Sequence, residues 1–296
     1  MKRLLAALSL LCLSVLPVGC SGVDVLAAED IRDELVQSMH MGNIETYHID
    51  MTMNTSVHMS IPNEELGEGP ISTTIVAAGV VDNKNLEMMM EMWVTTDMLS
   101  QSDVPDSMVM AQYLISDVYY VKTDMPSEGE TWLRYDIPEE FLQGYRSQMG
   151  QMEQQIDLLE YADVELLGTE MVNGIECYVL DVQADFAKLF DAMLQQPEIG
   201  NMILDDEYPA FDEFITDYSY KSWVSKDEHF LIKCESGYRM HINSESMGLP
   251  PQEAFDMTME AEATVVLSNH NQPVCIQLPP EALGAEEASL LNSDTW

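Results

Sequence analysis

Methionine is the residue whose number and spacing suggest chemistry. The chain carries 23 of them, and Met88-Met89-Met90-Glu91-Met92 is the densest run. Thioether sulfur is a soft ligand that suits Cu(I), and His40-Met41 or His58-Met59 would supply such a site. Unbranched Met side chains also repack at little cost, which suits a pocket for a hydrophobic ligand of variable shape. They fill ordinary cores equally well. Asp205-Asp206-Glu207, with Asp212, Glu213 and Asp217, gathers oxygen ligands for calcium. The run lacks the sixth-position Gly and closing Glu of an EF-hand loop, and a solvated acidic loop is the simpler reading. The six His residues are scattered. There is no Gly-x-Ser-x-Gly, no His-Glu-x-x-His, no P-loop and no dinucleotide fingerprint. The expectation is a protein without enzymatic activity, cofactor or metal.

Cysteine carries a second kind of chemistry. Lys2 and Arg3 precede an apolar run from Leu4 to Val18. That run is shorter than the roughly 20 residues a spanning helix needs, and it fits the hydrophobic core of a signal peptide. Leu16-Pro17-Val18-Gly19-Cys20-Ser21 follows it. A small residue and then Cys at this place resembles a bacterial-type lipobox, although Pro17 stands where Leu is usual. The motif implies diacylglyceryl attachment to Cys20 and cleavage before it. Residues 1–19 are then a signal peptide, 20–28 a lipidated tether, and the mature protein is anchored to a membrane rather than spanning it. Cys177, Cys234 and Cys275 allow one disulfide at most, in any of three pairings. None stands in a Cys-x-x-Cys spacing, which argues against structural zinc.

Charge narrows the partners. The chain has 296 residues, with 52 Asp and Glu against 12 Lys and Arg and a formal charge of −40. Such a chain repels nucleic acid, which needs cations along its phosphates. It equally lacks a polybasic grip on anionic lipid. The acids are spread along the whole chain, which fits a surface kept hydrated in a salty medium. Hydrophobic residues make up 46%, ample for a core.

Most of the elements that position these residues read as strands. From Tyr47 to Ile61 the odd positions are apolar except Thr55, and the even positions are polar, so one face of a long strand is buried. Leu86 to Met98 alternates with Met88, Met90, Met92 and Val94 on one face. Phe255 to Leu267 alternates with Met257, Met259, Ala261, Ala263 and Val265 inward. Further strands are expected over 71–81, 108–116, 118–123, 131–137, 164–171, 175–183, 218–226, 229–236 and 238–243. Asn173-Gly174 is a strong hairpin signal. Helical periodicity appears over 27–41, over 138–161 and in a short piece after Asp185. These elements make one α+β domain over 29–280, of roughly ten antiparallel strands with two or three helices, followed by an acidic tail over 281–296.

Several segments together resemble a known group. They are the lipobox, the N-terminal helix, the alternating strand Tyr47 to Ile61, the hairpin Leu167-Gly168-Thr169-Glu170-Met171-Val172-Asn173-Gly174-Ile175-Glu176-Cys177-Tyr178-Val179-Leu180, and Tyr220-Lys221-Ser222-Trp223-Val224-Ser225-Lys226-Asp227. In pattern and order, over about residues 27 to 280, they are similar to the LolA/LolB and LppX/LprG-like lipoproteins of cell envelopes. The resemblance implies a half-open antiparallel β-barrel whose apolar concave face is covered by helices. It also implies carriage of lipoproteins, or binding of lipids, in that cavity. No ligand residue transfers from it. The expected ligand-facing rows come from the strand alternation: Met51, Met53 and Met59, then Met88, Met90 and Met92, then Met257 and Met259. The expected function is binding of a lipid or other hydrophobic ligand by an extracytoplasmic protein held to the membrane through Cys20. The alternatives are an interaction module with a filled core and a Met/His metal-handling protein.

Overall fold

The structure is a computed structural model, and it describes residues 44–60, 71–97, 107–125, 129–137, 162–184, 214–246 and 255–288. The strands are β1 (Thr46–Ser60), β2 (Ile71–Asp82), β3 (Glu87–Asp97), β4 (Ser107–Ile115), β5 (Val118–Met125) and β6 (Gly129–Asp136). They continue as β7 (Ala162–Val172), β8 (Ile175–Ala184), β9 (Ile215–Ser225), β10 (Leu231–Asn243), β11 (Asp256–Ser268) and the short β12 (Glu286–Glu287). All twelve belong to one sheet in the order β12-β6-β5-β4-β3-β2-β1-β11-β10-β9-β8-β7. The sheet is open, with edges at β12 and β7. Every pairing is antiparallel except the parallel contact of β12 with β6.

Among the described residues the roughly ten strands expected from the sequence number twelve: eleven overlap expected segments and β12 is additional. The segments expected at 229–236 and 238–243 are one strand, because Gly237 continues the ladder opposite Glu262 and Ser219 instead of breaking it. The first residues of the acidic tail are bonded to the sheet. Pro280–Gly284 forms a 3-10 helix, and Glu286 and Glu287 pair with Leu133 and Arg134. That 3-10 helix is the only helical element among the described residues. The helices expected over 27–41, over 138–161 and after Asp185 lie outside them, as does Cys20.

Local chemistry sets the turns. Between β2 and β3, Asp82 accepts the Asn85 backbone N–H at 2.9 Å and its side-chain amide at 2.8 Å. Asn173 and Gly174 both have positive φ, 52° and 85°. This is the backbone of a two-residue hairpin turn whose twist matches its strands.

Register divides the sheet into two chemically distinct faces, because directly paired residues share a face. One face carries Tyr47, Ile49, Met51 and Met53 of β1 beside Leu267, Val265 and Ala263 of β11 and Val81, Gly79 and Ala77 of β2. Its buried centre includes Ile49, Leu180, Val224, Leu231, Val265 and Leu267. A second cluster on Met240, Ile242, Met257 and Met259 adjoins Phe214. Asp50, Glu91, Lys122, Lys233, Glu235 and Glu260 all fall on the other face. That face has a smaller apolar cluster of its own: Cys177, Val179, Trp223 and Ile232. There the Trp223 indole N–H donates to Glu170 at 2.8 Å, and the Lys233 ammonium sits 4.2 Å over its ring.

The three cysteines among the described residues, Cys177, Cys234 and Cys275, are unpaired. Cys177 pairs with Ser225 and belongs to the charged-face cluster, whereas Cys234 pairs with Val265 on the apolar face. A sheet separates them, so no bridge joins these two. Burial pushes both thiols up to about 11. Cys275 is exposed. A thiol reagent at neutral pH is therefore expected to modify Cys275 at once, and Cys177 and Cys234 only on unfolding. Rapid labelling of all three in the native protein would contradict this placement.

Candidate functional site

The site expected from sequence is a set of methionines, and the ladder places all of them on the apolar face. Met92 pairs with Ala77, Ala77 with Met51, and Met51 with Val265. One step along, Met90 pairs with Gly79 and Gly79 with Ile49. Met88 pairs with Val81. At the far end of β1, Val57 pairs with Met259 and Met59 with Met257. Alternation over these strands is what aligns the rows, since each strand puts every second side chain on this face.

Burial then splits the set. Met259 is 1% exposed, Met257 3% and Met53 9%, so these three are closed core. Met51, Met59, Met88, Met90 and Met92 are half-buried. Met51, Met88 and Met90 lean on the main cluster. The accessible methionines therefore concentrate on β3 and the adjoining part of β1. Two residues that the sequence reading did not assign extend this group. Met108 and Met110 of β4 pair with Val94 and Met92 and are half-buried on the same face. The alternation Met108, Met110, Gln112, Leu114 was a usable signal, interrupted by one amide. Met240, opposite Met259, was likewise unassigned and is closed core.

Electrostatics mark this face as non-polar. No Asp, Glu, Lys or Arg faces it along the paired rows from β6 through β1 to β10. Its polar groups are uncharged, such as Gln112, Thr55 and the phenols. Burial pushes Tyr119 up to about 12, with Tyr135 adding to the rise. It does the same to Tyr218, with Cys234 adding. Both phenols therefore stay neutral in the physiological range.

Gly79 shapes the accessible part. A Cβ there would lie 2.6 Å from the Met89 carbonyl oxygen, 3.2 Å from the Met90 Cα and 3.3 Å from Ile49 Cγ2. The β3 backbone and the Ile49 side chain therefore close over Gly79, and only glycine fits there.

The copper alternative does not find its geometry at His58-Met59. His58 pairs with Thr258 and Met59 with Met257, on opposite faces of the sheet. His40 and Met41, and Asp205, Asp206, Glu207, Asp212 and Glu213 of the acidic run, lie outside the described residues.

No protein-family model and no curated protein matches the chain. Among solved structures it is similar to LprF from Mycobacterium bovis, at 11% identity over 88% of this chain and 99% of that one, with a TM-score of 0.38. It is similar to the lipoprotein LppX of Mycobacterium tuberculosis, at 11% identity over 85% and 100% of the two chains, with a TM-score of 0.36. A putative outer membrane lipoprotein-sorting protein domain from Vibrio parahaemolyticus follows, at 9% identity over 85% and 95%, with a TM-score of 0.22. At these scores and identities no ligand and no residue role passes to this chain. LppX and a lipoprotein-sorting domain are names of the two groups whose pattern the sequence resembles.

Proposed function

We propose that this protein is a non-enzymatic, extracytoplasmic lipoprotein that binds a hydrophobic ligand, a lipid or acyl chain, on the apolar face of its sheet. The supporting observation is the charge-free face, with Met51, Met88, Met90 and Met92 half-buried on it. A ligand lying on these rows would remove its own apolar surface and theirs from water together. Each buried CH₂ contributes about 0.8 kcal/mol. Met side chains change rotamer to fit chains of different shape, and no unpaired charge has to be desolvated. The closed cluster on Met257 and Met259 favours a second reading in which that half of the sheet is simply core. On this reading those two residues support the site without touching ligand.

The test is saturable binding of a fluorescently labelled palmitate to delipidated protein, with competition by unlabelled acyl lipids. Binding that saturates and is competed supports the proposal, and absence of saturable binding defeats it. The anchor is a separate part of the proposal. Cys20→Ala is expected to abolish incorporation of radiolabelled fatty acid into the protein in cells. Undiminished labelling of that variant would end the lipoprotein reading.

A further inference from the structure

The charged face carries an apolar strip that the ligand site does not use. Val76 pairs with Trp93, and Trp93 with Val109, so the three side chains lie side by side across β2, β3 and β4. Val76 and Trp93 are each 42% exposed, and Val109 is half-buried. Asp124 and Glu130 continue the same row on β5 and β6. The neighbouring row holds Glu91 and Asp50, separated by Ala78. All four acids are exposed. The nearby cations are already engaged: Lys122 lies 2.7 Å from Glu130, and Arg134 lies 3.4 Å from Asp136 and 4.0 Å from Glu287. The indole thus stands in an acidic surround.

We propose that the strip Val76–Trp93–Val109 docks a basic, partly aliphatic segment of another protein. A Lys or Arg of the partner would lie against the Trp93 ring, where the ring's electron-rich face attracts cations. Aliphatic side chains would cover the two valines, and the surrounding acids would draw the segment in. The same acids disfavour the other occupants. A second copy of this chain would set like charges opposite one another, and an anionic lipid surface would be repelled. The strip lies on the face opposite the half-buried methionines, so this surface stands or falls separately from the ligand site.

The experiment titrates the full chain with a short peptide alternating Lys and Leu, and with its Glu–Leu counterpart, by calorimetry. The Lys–Leu peptide is expected to bind and the Glu–Leu peptide not to bind. Trp93→Ala should weaken binding about tenfold, the size expected for loss of a central aromatic anchor. Glu91→Gln with Asp124→Asn should weaken it too. Asp163→Asn with Glu165→Gln, an equal charge change on β7, should leave it unaltered. Equal weakening by the two acid pairs would show attraction to net charge alone and overturn the proposal. Unchanged affinity in Trp93→Ala, or no binding of the Lys–Leu peptide, would overturn it as well. If Trp93→Ala melts early, the comparison of acid pairs decides.

Discussion

Met259→Asp is expected to destabilise the protein strongly, whereas Met90→Asp is expected to leave it folded and much weaker in holding an acyl chain. The two methionines share one face of the sheet, but Met259 is 1% exposed among Phe214, Met240, Ile242 and Met257. Among the described residues the cluster offers a carboxylate there no cation, and an unpaired buried charge costs about 3–5 kcal/mol. That is a large share of the 5–15 kcal/mol by which domains are ordinarily stable. The loss should shrink as pH falls, because burial raises the new carboxyl's pKa and its protonated form costs less. Met259→Leu, close in volume, should cost less than about 1.5 kcal/mol. Met90 is half-buried, so water reaches an Asp at that place. Its melting temperature should stay near that of the parent, while palmitate affinity falls about tenfold or more, since one charge must now be desolvated by the ligand. Thermal melting and probe binding on the two variants separate the outcomes. A Met90→Asp variant that melts early would place Met90 in closed core. One that binds palmitate normally would remove β3 from the ligand face.

The second large effect is expected at Gly79. Its missing Cβ would meet the Met89 carbonyl oxygen at 2.6 Å and the Met90 Cα at 3.2 Å. Both are backbone atoms of the neighbouring strand, so relief requires β2 and β3 to separate locally. Gly79→Ala should therefore cost about 3 kcal/mol, the upper range for overpacking. Gly237→Ala is the control. Its Cβ would lie 3.1 Å from Ser219 Oγ, a side-chain atom that can rotate away. Ala also restricts the unfolded chain more than Gly does, so this variant should stay within about 1 kcal/mol of the parent. Chemical denaturation of both measures the difference. Equal costs would mean that the β2–β3 contact is looser than the ladder implies.

Alternation made much of this legible in the sequence. Tyr47 to Ile61, Leu86 to Met98 and Phe255 to Leu267 each announce a strand and the face it buries, because a period of two has a single physical meaning. Their partners were not legible. That Met51 lies beside Val265 follows from a pairing across most of the chain, and no local pattern encodes it. For the same reason the sequence could not separate closed Met257 and Met259 from half-buried Met88 and Met90, which look alike along the chain. Gly237 read as a break because glycine so often is one. Here it is accommodated in mid-strand, where only a small residue clears the Ser219 hydroxyl without adjustment. Glu286 and Glu287 gave no strand signal at all, being two acids in an acidic stretch. Their place is set by the free edge of β6.

The seam between β1 and β11 has a kinetic consequence. Strands β1 to β6 form one run in which each pairs with its sequence neighbour, and β7 to β11 form another. Both runs are assembled from short-range contacts and form early, whereas β1 joining β11 closes a loop of about two hundred residues and is entropically slower. Until that closure, the apolar sides of Met51 and Met53 lack their Val265 and Ala263 neighbours. A chain made from its N-terminus therefore spends most of its synthesis with a long unpaired β1 edge and an uncovered hydrophobic sheet. In that interval it is most prone to pair with another nascent copy, and the repulsion between its many carboxylates is what holds such copies apart.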